Sequence, residues 1–156
     1  MNKEDEIMSG AREVFNKMAS LNKSKMEVSL KGYKSSEVHG VEYIGKMADP
    51  NVTKLAEAFY MTRGAISKLT KKLMEKGLIE SYQKAENKKE IYFRLTPKGQ
   101  EVFDIHERLH QEFQERDKVV FEQITEEQFQ ATLNFLKNYS NHLDAEIKKQ
   151  NTDDKI

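Results

Sequence analysis

The feature that most constrains this chain is a change of hydrophobic period in its middle third. From Thr62 to about Lys76, the residues Ile66, Leu69, Leu73 and Met74 recur at helical spacing and predict an inward face. Gly77 follows where a helix end needs a residue that accepts positive φ. The next residues abandon that period. Segments 78–84 and 90–95 read as strands, the second alternating Ile91, Phe93 and Leu95 against Tyr92 and Arg94, with the polar stretch 85–89 as a hairpin tip. Upstream, Thr53 is placed to cap a short helix over 54–59, Tyr60 and Met61 make a tight turn, and Thr62 caps the following helix. Two short helices joined so tightly have helix-turn-helix spacing, and a hairpin directly behind them is a wing.

Longer helices flank this lobe. Ile7, Ala11, Val14, Phe15 and Met18 form one apolar stripe on a helix predicted over 4–20, after which the polar stretch 21–34, broken by Gly32, reads as helix end and loop. Ser35 or Ser36 offers an N-cap for a helix that turns Val38, Val41 and Ile44 inward. It stops at Asp49-Pro50-Asn51, because proline cannot continue the hydrogen-bond ladder and restricts the residue before it. Thr96 as N-cap and Pro97 at the first helical position open a long helix with Val102, Ile105, Leu109 and Phe113 on its apolar face, running to about Glu122. Thr125-x-x-Gln128 is a capping box for the last helix. Along that helix Phe129, Leu133, Leu136, Ser140, Leu143 and Ile147 form a heptad seam, more regular than packing inside one small domain requires. With the stripe of the first helix, the seam predicts a second copy of the chain as the partner of both arms. The expected architecture is mainly α with a small β wing in a single domain, 1–156. A winged helix-turn-helix over 53–99 sits between dimerisation helices over 1–34 and 100–150, and a polar tail occupies 151–156.

Composition narrows the function classes. The chain has no apolar run near the roughly 18 residues that a membrane span needs, and no leader pattern at Met1, so neither a membrane protein nor a secreted precursor is expected. It has no cysteine, which removes disulfides, thiol catalysis and Cys-ligated zinc and agrees with a cytoplasmic location. The formal net charge of zero hides an uneven distribution. Residues 53–99 carry 11 Lys/Arg against 5 Asp/Glu, a net of +6, whereas residues 100–156 carry 7 against 13, a net of −6. A lobe built to sit on a polyanion, between arms that avoid it, has this distribution.

On the 63–76 helix, Arg63, Ser67, Lys68, Lys71 and Lys72 lie away from the apolar stripe. Thr62, Arg63, Gly64 and Ser67 stand near its N-terminus, where base edges and phosphates can be approached and the helix dipole favours anions. Gly64 lacks the bulk that would hold the backbone away from a duplex. Lys68, Lys71 and Lys72 read as phosphate contacts, which supply affinity and salt dependence but no sequence choice.

The stretch NVTKLAEAFYMTRGAISKLTKKLMEKGLIE and the later IYFRLTPKGQEVF resemble the MarR family of winged-helix transcription regulators, and the likeness extends over roughly residues 7–148. The resemblance implies a two-fold homodimer on a double-stranded operator, with one helix of each lobe in the major groove and each wing at the adjacent minor groove. It implies regulation, most often repression, with operator affinity set by a small effector or metal bound between lobe and arms. The wing departs from the family pattern. Where the usual tip carries Asp-Arg-Arg/Lys, this chain has Asn87, Lys88 and Lys89. Lysine is a strongly hydrated point charge without the planar fork of arginine, so wing contact through Lys88 and Lys89 is expected to be largely to phosphate.

The histidines offer a second chemistry. His106-Glu107-Arg108-Leu109-His110 spells H-E-x-x-H, in which two imidazoles share a helix face beside a glutamate able to activate a metal-bound water. A metal-dependent hydrolase using 106–110 is thus the alternative to a DNA-binding protein. With 19 Glu and 4 His in the chain, a chance match somewhere is roughly a one-in-a-hundred event, so the motif alone is weak evidence, and no nucleophile elbow or Gly-rich phosphate loop accompanies it; an enzyme is not expected. The resemblance suggests another use, since zinc-sensing members of the family place histidines at positions matching His39, His106 and His110. Three imidazoles with a carboxylate or water satisfy tetrahedral zinc, and Glu37, Glu42 and Glu107 are the carboxylates at hand.

Overall fold

Turn and cap chemistry divides the chain much as the hydrophobic periods do. A computed structural model describes residues 2–153 and contains α1 (Lys3–Ser29), α2 (Ser35–Lys46), α3 (Val52–Phe59), α4 (Arg63–Glu75), β1 (Ile79–Lys84), β2 (Asn87–Leu95), α5 (Pro97–Glu122) and α6 (Glu126–Asp153). Two compact units divide between Phe113 and Gln114.

In the first unit α1 runs well past the expected end at Ser20. The 21–29 stretch contains no breaker and its Met26 packs against the core; the helix ends at Ser29 with Leu30 as C-cap, and Gly32 takes φ +95 in the turn that follows. Neither Ser35 nor Ser36 caps α2. The N-cap is Lys34, whose backbone N–H donates to Glu37 Oε1 (2.8 Å). Likewise Asn51, not Thr53, caps α3, its Oδ1 accepting from the Lys54 N–H (2.8 Å). Thr62 caps α4 as expected, its Oγ1 accepting from the Ala65 N–H (3.1 Å).

Val38, Val41 and Ile44 of α2, Leu55 of α3, and Ile66 and Leu73 of α4 form the centre of the lobe with Leu78, Ile79, Phe93 and Val102. Met74, expected inward, is exposed, because Leu69 and Leu73 already fill that face of α4. Beyond the C-cap Lys76, Gly77 takes φ +73. Leu78 is buried just before β1 begins, and Gly99 lies so close that a Cβ on it would stand 1.9 Å from the Leu78 carbonyl oxygen. Thr96 caps α5, accepting from the Gly99 N–H (3.1 Å) and donating from its hydroxyl to the Gly77 carbonyl (2.6 Å).

The strands pair antiparallel from Ile79↔Leu95 to Tyr82↔Tyr92, after which pairing resumes at Lys84↔Asn87. Residues 88–91 of β2 therefore stand opposite Gln83 alone, as a bulge, and the turn is only Ala85-Glu86. This corrects the expected tip at 85–89: Asn87, Lys88 and Lys89 belong to β2. It also explains why Ile91, expected inward with Phe93 and Leu95, is half exposed. A shift of register moves a side chain to the other face.

Val102, Leu109 and Phe113 of α5 are buried as expected, and no residue of α1 is buried. The stripe Ile7, Val14, Phe15 and Met18 is exposed in the protomer. In the second unit the reciprocal capping box forms at Thr125 and Gln128, and Phe121 stacks on Phe129 with ring centroids 6.2 Å apart. Leu133, Leu136 and Leu143 of the heptad seam are exposed. The tail expected after Gln150 is helical to Asp153; its residues 154–156 lie outside the described residues.

Candidate functional site

Burying Ile66, Thr70 and Leu73 against the core turns the other face of α4 outward. Thr62, Arg63, Gly64, Ser67, Lys68, Lys71 and Lys72 are all exposed there, and Lys88 and Lys89 are exposed on the wing bulge. Among the described residues, Arg63, Lys68, Lys71, Lys88 and Lys89 make no ion pair with a carboxylate, whereas other basic residues of the same lobe are engaged. Lys54 Nζ donates to the carbonyls of Ala48 and Asp49, and Lys98 Nζ to that of Lys76. Lys76 pairs with Glu37 (2.7 Å), Lys84 with Asp49 and Arg94 with Glu80 (2.7 Å). Lys72 faces Lys34, whose ammonium pulls its pKa down. The net charge of +6 thus separates into cations that hold the lobe together and cations that face solvent from α4 and the bulge. Sequence spacing marked the second group; the first, which depends on the partner each side chain meets in the folded lobe, it did not mark.

Glu37, the buried partner of Lys76, is 1% exposed. Burial pushes its carboxyl up, but the Lys34 N–H, Lys76 and Lys72 together hold it below the ordinary value. Its second oxygen, Oε2, is buried without a hydrogen-bond partner. Lys76 also donates to the Gly32 carbonyl (3.1 Å) and lies over the Tyr33 ring. The end of α4 is thereby tied to the α1–α2 corner.

The expected histidines do converge. His106, 2% exposed on α5, has Nε2 3.1 Å from His110 Nε2 and Nδ1 2.8 Å from Glu42 Oε2, and its ring meets that of His39 edge-on. The contact with Glu42 is close but off the hydrogen-bond axis, so Nδ1 has no aligned partner. Donor atoms of His39, Glu42 and His106 lie within 4.8 Å of one another, which singles out Glu42 among the three candidate carboxylates. Glu37 belongs to Lys76, and Glu107 is held by Lys46 Nζ (3.0 Å). Burial lowers the His106 pKa more than Glu42 raises it, leaving a neutral imidazole with a lone pair to offer. A hydrolase at 106–110 would need Glu107 free to activate water and an open approach to His106; the lobe provides neither.

The sequence model of the MarR family matches residues 34–91, from the N-cap of α2 to the wing bulge. The HTH-type transcriptional regulator PchR of Bacillus subtilis (strain 168) is 32% identical over 111 residues, 71% of this chain and 66% of that protein. The chain belongs to the MarR family. Its matches span 53–66% of the length of the curated relatives found, all named as HTH-type transcriptional regulators and none as an enzyme. Solved structures of the MarR fold agree in architecture. Streptococcus pneumoniae FabT, crystallised in complex with DNA, superposes with TM-score 0.78 at 22% identity, covering 92% of this chain and 99% of that one. S. aureus MepR in its DNA complex gives 0.70 at 20% identity, covering 91% and 99%. Among the described residues no helix is long and apolar enough to cross a membrane.

Proposed function

We propose that this MarR-family chain is a sequence-specific double-stranded DNA-binding regulator, acting in the cytoplasm as a homodimeric repressor. The observation that carries the reading is the set of unpaired cations, Arg63, Lys68 and Lys71 on α4 with Lys88 and Lys89 on the bulge, on a lobe whose other basic residues are mostly engaged. Thr62, Arg63, Gly64 and Ser67 enter the major groove at the helix start. Lys68, Lys71, Lys72, Lys88 and Lys89 meet phosphates. The DNA complexes of FabT and MepR, which share the fold, support this use of it.

Exposed apolar residues on α1 and α6 support the dimer, whose two lobes would meet half-sites about one helical turn apart. An effector that changes lobe spacing would change operator affinity. Zinc is the effector that the histidine cluster suits best: imidazoles from His39, His106 and His110 with the Glu42 carboxylate are borderline-soft nitrogen and hard oxygen donors of the kind tetrahedral zinc takes.

Selection of bound duplexes from a random pool tests the central reading, because a recovered site shows half-site symmetry and spacing. On that site, Lys68→Ala/Lys71→Ala flattens the slope of log K against log[salt] by roughly 2 per protomer, at about 0.9 per phosphate contact. An unchanged slope refutes the assignment. For the metal, purified protein should take up stoichiometric zinc and His106→Ala should not; a wild type that stays metal-free at saturating zinc ends that part of the proposal.

A further inference from the structure

The loop between α2 and α3 grips the wing with three consecutive residues. Asp49 Oδ1 accepts from the Tyr82 hydroxyl (2.9 Å) and Oδ2 from Lys84 Nζ (2.5 Å), both on β1. The Pro50 carbonyl accepts from the Phe93 N–H (2.9 Å) and Asn51 Nδ2 donates to Glu90 Oε2 (3.4 Å), both on β2. Tyr82 and Lys84 are the β1 residues whose pairings close the two ends of the bulge, and Gln83 between them donates to the Lys88 carbonyl (2.9 Å). Asp49 therefore holds both ends of the strand segment against which Lys88 and Lys89 are displayed. It takes φ +47, a left-handed conformation that aspartate tolerates better than most residues.

The grip is poorly suited to stabilising the fold. The Asp49 and Lys84 side chains are 40% and 31% exposed, and ion pairs so open to water contribute little to folding. Lys84 and Tyr82 nevertheless hold the Asp49 carboxyl below its usual pKa, so it is ionised throughout the neutral range.

We infer that Asp49 is the positioning residue of the wing: through Tyr82 and Lys84 it fixes the bulge, and so sets where Lys88 and Lys89 meet the duplex. This rests on the DNA-binding reading above. Free of the grip, the hairpin retains its pairing and its charge, but its lysines are no longer presented at one place.

A double-mutant cycle on the selected operator duplex tests it. Asp49→Asn keeps a side chain that tolerates the left-handed backbone and removes the charge. Wild-type affinity should fall about tenfold in Lys88→Ala/Lys89→Ala, the scale for losing a few phosphate contacts. Asp49→Asn alone should cost a similar factor, with unchanged melting temperature. Adding the two lysine changes to Asp49→Asn should then cost almost nothing more, and Lys84→Met should behave like Asp49→Asn. Multiplying losses, or an Asp49→Asn affinity equal to wild type, overturn the inference and leave the DNA-binding reading standing. Lysine changes without effect mean the wing does not meet DNA, and the inference falls with that contact. A wild type that recovers no duplex refutes the underlying reading itself.

Discussion

Two glycines show how differently the same residue type is used. A Cβ on Gly99 would lie 1.9 Å from the Leu78 carbonyl oxygen and 2.9 Å from its carbonyl carbon, which are backbone atoms that cannot rotate away. Gly99→Ala forces α5 off the start of the wing and should lower stability by about 3 kcal/mol, the upper end of ordinary overpacking, read as a fall in denaturation midpoint. Gly64 is the opposite case. A Cβ there meets only Thr62 Oγ1, at 4.0 Å, so Gly64→Ala should stabilise α4 by about 0.5–1 kcal/mol through helix propensity. If the α4 backbone closes on a duplex at that point, the same variant binds its operator more weakly while melting at a higher temperature. A variant that is both more stable and unimpaired in binding removes Gly64 from the interface.

At the scale of elements, the pair Glu37–Lys76 ties the start of α2 to the end of α4 across a separation of 39 residues. The folded-state pKa of Glu37 is lowered, so the pair's contribution is fully present above the unfolded value near 4.5 and is lost as pH falls towards the folded value. Wild-type stability should therefore decline below about pH 4.5, and Glu37→Gln should remove that component of the decline and be less stable at pH 7, as chemical denaturation across pH 3–7 would show. This pair illustrates where sequence reading ends. The helix-turn-helix, the Thr62 and Thr96 caps, Gly77 and the order of elements are written in local spacing, and so are the exposed residues of α4. Local spacing does not pick out the caps Lys34 and Asn51, because a neighbouring serine or threonine satisfies the same rule. The bulge at 88–91, the grip of Asp49 and the selection of Glu42 for the histidine cluster depend on which residues tertiary packing brings together, and no window of adjacent residues contains that information.

For the whole molecule, the exposed large apolar residues among the described ones are concentrated on α1, the end of α5 and α6. Leu133 and Leu136 are 55% and 56% exposed on α6, and Phe15 is 69% exposed on α1. Fully burying a leucine contributes about 1.5–3 kcal/mol, and a two-fold axis counts each contribution twice. If the proposed homodimer forms through this surface, Leu136→Glu should shift it to monomer at micromolar concentration by sedimentation, with little change in helical content because the side chain is already exposed in the protomer. Operator affinity should fall much further than that of either lobe for a single half-site, since two linked contacts become independent.

The irregular pairing of the ribbon also bears on how such a protein survives in a crowded solution. A two-stranded ribbon leaves an open margin along each strand, a ready template for a stray extended segment. Residues 88–91 break the regular ladder on one margin and put two lysines beside the break, so an incoming strand meets mismatched spacing and like charge. The residues proposed to seek phosphate thus also guard the ribbon against self-association.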